Sequence, residues 1–190
     1  MKILFLGYSS EQTGLIDFLK SQKCRVTHAS DKITPDFASE FDLIISFGYK
    51  HIIRQEILSV VRRPILNLHI SLLPFNRGAH PNFWAFVENT PHGVTIHQID
   101  AGVDTGDIVF QREVKFSDSS STFLNTYLEL QKDIESLFIQ NWQAIRDYSY
   151  QSKPQVGEGT CHKVRDLPTF TGGWGAKIVD VLAELKRKRT

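Results

Sequence analysis

The sequence predicts one α/β domain, a mostly parallel sheet with helices on both faces, followed by an extension carrying a β-hairpin and a helix. Three observations point there. Short apolar runs alternate with segments of helical period over the first half of the chain, the pattern of strands joined by helical crossovers. Gly7, Gly48 and His69 close three of those runs, at the carboxyl ends where open sheets hold ligands. The 190 residues, 41% hydrophobic, can bury one substantial core but not a second in a short tail.

Residues 2–6 are an apolar run closed by Gly7 and read as a buried first strand. Ser9 or Ser10 can cap the helix that follows, whose Leu15, Ile16, Phe18 and Leu19 share one face. Residues 25–28 form a weaker strand, and 30–40 read as loop. Residues 42–47 are another apolar strand, 53–61 a helix, and 65–69 a strand begun by Pro64. In the second half, 81–88 are a short helix, and 94–99 and 107–114 are strands. Residues 120–147 carry Phe123, Leu124, Tyr127, Leu128, Leu130, Ile134, Leu137 and Phe138 as one long amphipathic helix. The Gly157-Glu158-Gly159 turn makes 150–165 a β-hairpin, and 175–188 are a last helix. The domain therefore covers 1–147. The extension, 148–190, is too small to fold alone and must pack on the domain or on another subunit.

Composition excludes several classes. The net charge of +1 gives no footprint for nucleic acid or an anionic membrane. Lys186, Arg187, Lys188 and Arg189 read as the solvated end of the last helix. Cys24 and Cys161 stand far apart without a partner motif, which fits a reducing cytosol and argues against a disulfide framework or a zinc site. Ile3-Leu4-Phe5-Leu6 is too short for the core of a secretion signal, and no run approaches membrane-spanning length.

The chemistry concentrates between Asn67 and Asp107. Asn67 and His69 lie two apart at a strand end, so both side chains face one way. Asn67 offers a neutral amide donor and His69 a proton carrier near neutral pH. Asp104, in the glycine-flanked Asp100-Ala-Gly102-Val103-Asp104-Thr-Gly loop, can reach the imidazole. A carboxylate there is expected to raise the His69 pKa, and burial to raise that of Asp104. Each residue alone is commoner as a structural partner, and Asp-Thr-Gly alone is commoner as a turn. Four of the seven histidines fall near this stretch, but without helical pairing or a cysteine cluster they do not make a metal site. His97 either faces the site or packs beneath it.

Taken in order, Asn67-Leu-His69-x-Ser-Leu-Leu-Pro74, Arg77-Gly78, Gly93-Val-Thr and Asp100-x-Gly-x-Asp104-Thr-Gly-Asp107-Ile108 resemble the folate-dependent formyltransferases over roughly residues 1–140. The resemblance implies a Rossmann-like fold, N10-formyltetrahydrofolate as co-substrate, no metal, and Asn67, His69 and Asp104 as catalytic residues. Asn67 and protonated His69 would stabilise the oxyanion, and Asp104 would keep His69 charged. The pterin slot would be built from Phe47, Gly48, Tyr49, Lys50 and Ile52 on one side and Asp100, Gly102 and Val103 on the other.

Within that family the sequence is most similar to the short nucleotide-linked amino-sugar N-formyltransferases, some of which serve bacterial surface polysaccharides. Tyr8, Arg77, His80, Asn82 and Trp84 would then contact the acceptor, a dideoxy amino sugar. The extension would close a cytoplasmic homodimer. The loop after the first strand has one glycine and carries Glu11, a poor cradle for the phosphate of glycinamide ribonucleotide. The chain is also shorter than the methionyl-tRNA enzymes. Formylation of another small amine, hydrolysis of the formyl folate, and a non-catalytic folate-binding homologue remain the alternatives.

Overall fold

The computed structural model describes residues 1–116 and 121–189. Its strands are β1 (Lys2–Gly7), β2 (Arg25–Ala29), β3 (Leu43–Phe47), β4 (Leu66–His69), β5 (Arg77–Gly78), β6 (His92–Gln98), β7 (Ile108–Val114) and β8 (Cys161–His162). Six of them form one sheet in the order β2-β1-β3-β4-β6-β7. The first four run parallel, and β6 and β7 complete the sheet antiparallel. β3 is buried along its whole length. The edge strand β2 leaves three of its five residues exposed, which is why its apolar pattern is weak.

The helices are α1 (Leu15–Ser21), α2 (Pro35–Ser39), α3 (Gln55–Leu58), α4 (Pro81–Val87), α5 (Phe123–Gln140), α6 (Trp142–Asp147) and α7 (Ile178–Arg189). Residues alternate between the faces of the sheet. Ile3, Phe5, Leu43, Ile45, Leu66 and Leu68 pack with α1, α5 and α6. Leu4, Leu6, Ile44 and Ile65 pack with α2 and α3. A third cluster joins Phe83 and Trp84 of α4 and Phe123 of α5 to Ile178, Val181 and Leu185 of α7. The extension is thus packed on the domain. No helix among the described residues is long and apolar enough to cross a membrane.

Several elements differ from the sequence-based expectation. α1 begins after Gly14 with no side-chain cap. Ser9 instead opens a turn in which its carbonyl accepts from the Gln12 and Thr13 N–H groups. The stretch read as loop contains α2, because Thr34 caps the Phe37 N–H and Pro35 presets the first helical φ. α3 is a single turn. Ser120, the expected start of the long helix, lies outside the described residues, and that helix divides at Asn141, whose side chain donates to the Leu137 carbonyl. The two arms of the expected hairpin do not pair with each other. Lys153 bridges antiparallel to Ile108, and β8 runs parallel to β5. The domain offers each arm an open backbone edge. Gly78 makes the second one accessible: a Cβ there would stand 2.2 Å from the His162 carbonyl oxygen. Lys188, in the basic run, donates to Glu184 and to the Thr169 carbonyl.

Candidate active site

A cavity of about 320 Å³ opens at the carboxyl ends of β3 and β4. Ser46, Asn67 and His97 line its floor, Gly78 and Ala79 one wall, and the loops at 49–53 and 99–104 the rest.

The floor follows from strand geometry. Leu66 and Leu68 face the α5 core, so Asn67 and His69 face the other way. In the antiparallel β4–β6 pair Asn67 lies opposite His97, and His69 opposite Thr95. Directly opposed residues share a face, which brings His97 beside Asn67. Asp104 enters from its loop with φ of 51°, a left-handed conformation that Asp tolerates better than most residues. Gly106 lets that loop close, since a Cβ would lie 1.9 Å from the Gln98 carbonyl oxygen.

The four polar side chains form one network. Asp104 Oδ2 accepts from the Gly78 N–H at 2.8 Å and Oδ1 from Asn67 Nδ2 at 3.2 Å. His97 Nε2 stands 3.3 Å from Oδ1 and His69 Nδ1 3.7 Å from Oδ2. Asn67 Nδ2 also donates to His97 Nε2 at 3.1 Å. A carbonyl can only accept, which fixes two ring protons: His69 Nε2–H donates to Asn76 O (3.2 Å) and His97 Nδ1–H to Gln98 O (2.7 Å).

Burial opposes charge on Asp104, but His69, the hydrogen bond and charge of His97, and the Gly78 N–H outweigh it and hold the carboxyl well below the usual carboxylate range. Burial pushes the His69 pKa down, further than Asp104 and the Asn76 carbonyl push it up. Both net directions are opposite to the expectation from sequence. Backbone and amide donors reach Asp104 directly, whereas the His69–Asp104 separation is too long for a hydrogen bond. The resting site therefore holds an ionised Asp104 and a neutral His69 with an open lone pair on Nδ1.

Two residues to which the sequence assigned no role brace this network. Gln155 Nε2 donates to the carbonyls of Asp104 (2.8 Å) and Gly106 (2.9 Å), while its Oε1 accepts from Arg77 Nε and Nη2. Asn76 is fully buried at φ 55° and ties the His69 ring to Glu88 and Thr90. For His97 there was a signal: Val94 and Ile96 are the core-facing alternation of β6, which leaves His97 on the face of Asn67.

At the mouth, Ile52 and Val103 line the cavity while 79% and 50% exposed. Tyr49, Lys50, Asp100 and Gly102 also line it. Asp100 Oδ1 is engaged within its own loop by the Gly102 N–H and the Thr105 hydroxyl. Phe47 and Gly48 are not in the lining. Phe47 is buried in the sheet core, and Gly48 lies under the Tyr8 ring, 2.4 Å from where its Cβ would be.

The remaining expected residues are more dispersed. The Tyr8 hydroxyl bonds that of Tyr127 at 2.7 Å. Arg77 is held by Gln155, and His80 stacks on Trp174 with ring centres 5.4 Å apart. Asn82 and Trp84 are corrected to core positions. Asn82 Nδ2 donates to Phe123 O and Thr126 Oγ1, both at 3.0 Å, and Trp84 is 8% exposed and stacked at 3.9 Å on His162. A helix of this period needs a buried face, and these residues supply it. Among the described residues no three His, Cys, Asp or Glu side chains are grouped as a metal site requires.

Residues 2–138 match the family model described as formyl transferase. The chain is 31% identical over 134 residues to a dTDP-4-amino-4,6-dideoxyglucose formyltransferase of Mycobacterium tuberculosis. That match takes in 70% of this chain but 55% of the relative, so the chain spans about half the length of the curated proteins it matches. It is 36% identical over 123 residues to a methionyl-tRNA formyltransferase of Thermodesulfovibrio yellowstonii, covering 64% of this chain and 39% of that one. Among solved structures it superposes on the formyltransferase PseJ of Anoxybacillus kamchatkensis with a TM-score of 0.89 and 41% identity, over 95% of this chain and 97% of that one. PseJ was captured in complex with UDP-4,6-dideoxy-4-formamido-L-AltNAc and tetrahydrofolate.

Proposed function

We propose that this chain, which belongs to the formyl transferase family, moves a formyl group from N10-formyltetrahydrofolate to the amine of a nucleotide-linked amino sugar, with a UDP-linked 4-amino-4,6-dideoxy sugar as the first candidate. The observation that carries the reading is the near end-to-end likeness to PseJ, bound to the product of that transfer, together with Asn67 and Asp104 lining a cavity and the buried His69 ring beside Asp104. The folate would enter between Ile52 and Val103.

The residues suit the steps. The acceptor amine attacks the formyl carbon, and the carbonyl oxygen takes up negative charge that an Asn67 amide N–H can stabilise. The new carbon–nitrogen bond forms, the bond from carbon to the folate N10 breaks, and one proton passes from the amine to N10. Neutral His69 offers Nδ1 as the acceptor of that proton, and Asp104 stabilises the imidazolium until the proton is delivered. A cytoplasmic location, a role in surface polysaccharide and a homodimer belong to the same proposal. Exposed Leu124, Leu128, Trp174 and Val179 on α5 and the extension are the surface such a dimer would cover.

The test is incubation with N10-formyltetrahydrofolate and a panel of UDP-, dTDP- and GDP-linked 3- and 4-amino sugars, read by mass. Gain of one formyl group on a UDP-linked 4-amino sugar is expected. Turnover of glycinamide ribonucleotide or methionyl-tRNA, with every sugar untouched, would reject the reading.

A further inference from the structure

We infer that His97 is a positioning residue whose ring decides whether Asn67 has an amide N–H to offer the cavity. The argument is a count of donors. Asn67 Nδ2 carries two hydrogens, and both are committed within the protein, one to His97 Nε2 at 3.1 Å and one to Asp104 Oδ1 at 3.2 Å. In that state nothing on the amide nitrogen remains for the oxygen of a bound formyl group. The His97 ring cannot turn away, because it is 1% exposed and its Nδ1–H is fixed on the Gln98 carbonyl at 2.7 Å. Only the state of Nε2 can change. Without a proton it accepts from Asn67. With one it donates to Asp104 Oδ1, 3.3 Å away, and can no longer accept. Asn67 is then left with one amide hydrogen that has no acceptor in the protein, beside the cavity that Asn67 and His97 line together.

The charged groups around the ring fit a switch of this kind. Asp104 faces it from the loop, and His69 faces it from β4 with ring centres 6.2 Å apart. Tyr49, Lys50, His51 and Asp100 lie across the cavity. Ionised Asp104 is the partner that a charged His97 ring needs.

The activity part of the test rests on the formyl transfer proposed above; the spectroscopic part does not, so the two can fail separately. The side-chain amide signals of Asn67, assigned by their loss in Asn67→Ala, are followed with pH in the free protein by ¹H–¹⁵N NMR alongside the ring nitrogens of His97. The expected result is one shared midpoint, with the movement of the Asn67 signals gone in His97→Met. His97→Gln keeps an acceptor that cannot titrate and serves as the second variant should His97→Met not fold. Its Asn67 signals should be pH-invariant. With the UDP-linked 4-amino sugar as acceptor, kcat of the parent protein should fall as pH rises through that midpoint. His97→Gln should lose roughly tenfold in kcat, less than the 10²–10³-fold of removing an oxyanion donor outright, with no pH step and KM for the folate nearly unchanged. Asn67 signals that ignore pH, or that titrate identically in His97→Met, would overturn the assignment.

Discussion

Asn67, His69 and His97 stand on two adjacent paired strands, and Asp104 reaches them from one tight loop; the contacts among them are polar, at 3.1 to 3.7 Å. The neighbouring wall, from residue 76 to 84 and from 153 to 174, is assembled differently. It comes from short pieces of the domain and the extension, held by stacked rings and by two-residue strand pairing. The floor has its geometry imposed by the sheet, whereas the wall depends on segments distant in sequence finding one another. Substitutions in the floor should therefore act on chemistry, and substitutions in the wall on stability or alignment.

The largest effect should come from Asp104. Asp104→Asn keeps the shape but removes the charge that two donors and two histidines surround. A loss of about 10³-fold in kcat, near 4 kcal/mol, is expected with the melting temperature little changed. Loss of folding instead would make Asp104 a structural member of the loop and erase the contrast.

Trp84→Ala tests the other side. The ring is nearly buried against His162 and Phe83, so its removal should cost about 3 kcal/mol of stability and lower the melting temperature by several degrees. Turnover per folded molecule should hardly change. A normal melting temperature with a large rise in acceptor KM would return Trp84 to the substrate contacts expected from sequence.

Gln155 joins the two regions, since one amide holds both Arg77 and the carbonyls of the Asp104 loop. Gln155→Ala should lower kcat roughly tenfold, about 1.4 kcal/mol, through a displaced Asp104. Raised acceptor KM at constant kcat would show that it serves Arg77 alone.

The floor also has a pH signature. The unfolded chain takes up a proton at His69 near pH 6.5, while burial keeps the folded ring neutral. Stability is therefore full above about pH 6.5 and falls on acidification, by at most about 1.4 kcal/mol per pH unit, until the lower folded value is passed. The half-buried His92 and His80 shift in the same direction. Asp104 adds a second loss only at strongly acid pH, as its depressed folded value is passed below about pH 3.9. His69→Gln should flatten the melting temperature between about pH 7 and pH 5; an unchanged slope would assign it to the other histidines.

This difference in construction also governs what could be read in advance. The strand-end pair Asn67 and His69 and the glycine-flanked Asp104 were legible, because side-chain alternation and turn chemistry act within a few residues. His97 was ambiguous until its strand partner was known, since alternation says that it faces away from Val94 and Ile96 but not what lies there. Gln155, 51 residues beyond the Asp104 carbonyl to which it donates, left no local trace. The hairpin failed as an expectation for the same reason: Gly157 and Gly159 mark a turn, but the edges of β5 and β7 captured the arms.

The mouth of the cavity combines both kinds of construction and should show the smallest effect. Ile52 and Val103 expose large apolar side chains beside polar neighbours, which leaves apolar surface uncovered in the unliganded fold. Covering part of each with a flat ring system would remove apolar surface from water at about 25 cal/mol per Å². Replacing either by Ser should then raise KM for the formyl folate by a few-fold, on the order of 1 kcal/mol. The melting temperature and kcat at saturation should stay put. A drop in melting temperature would mean that the two side chains pack on each other in the free protein. Unchanged KM in both variants would move the folate off this lip and leave the floor as the part of the site that meets the co-substrate.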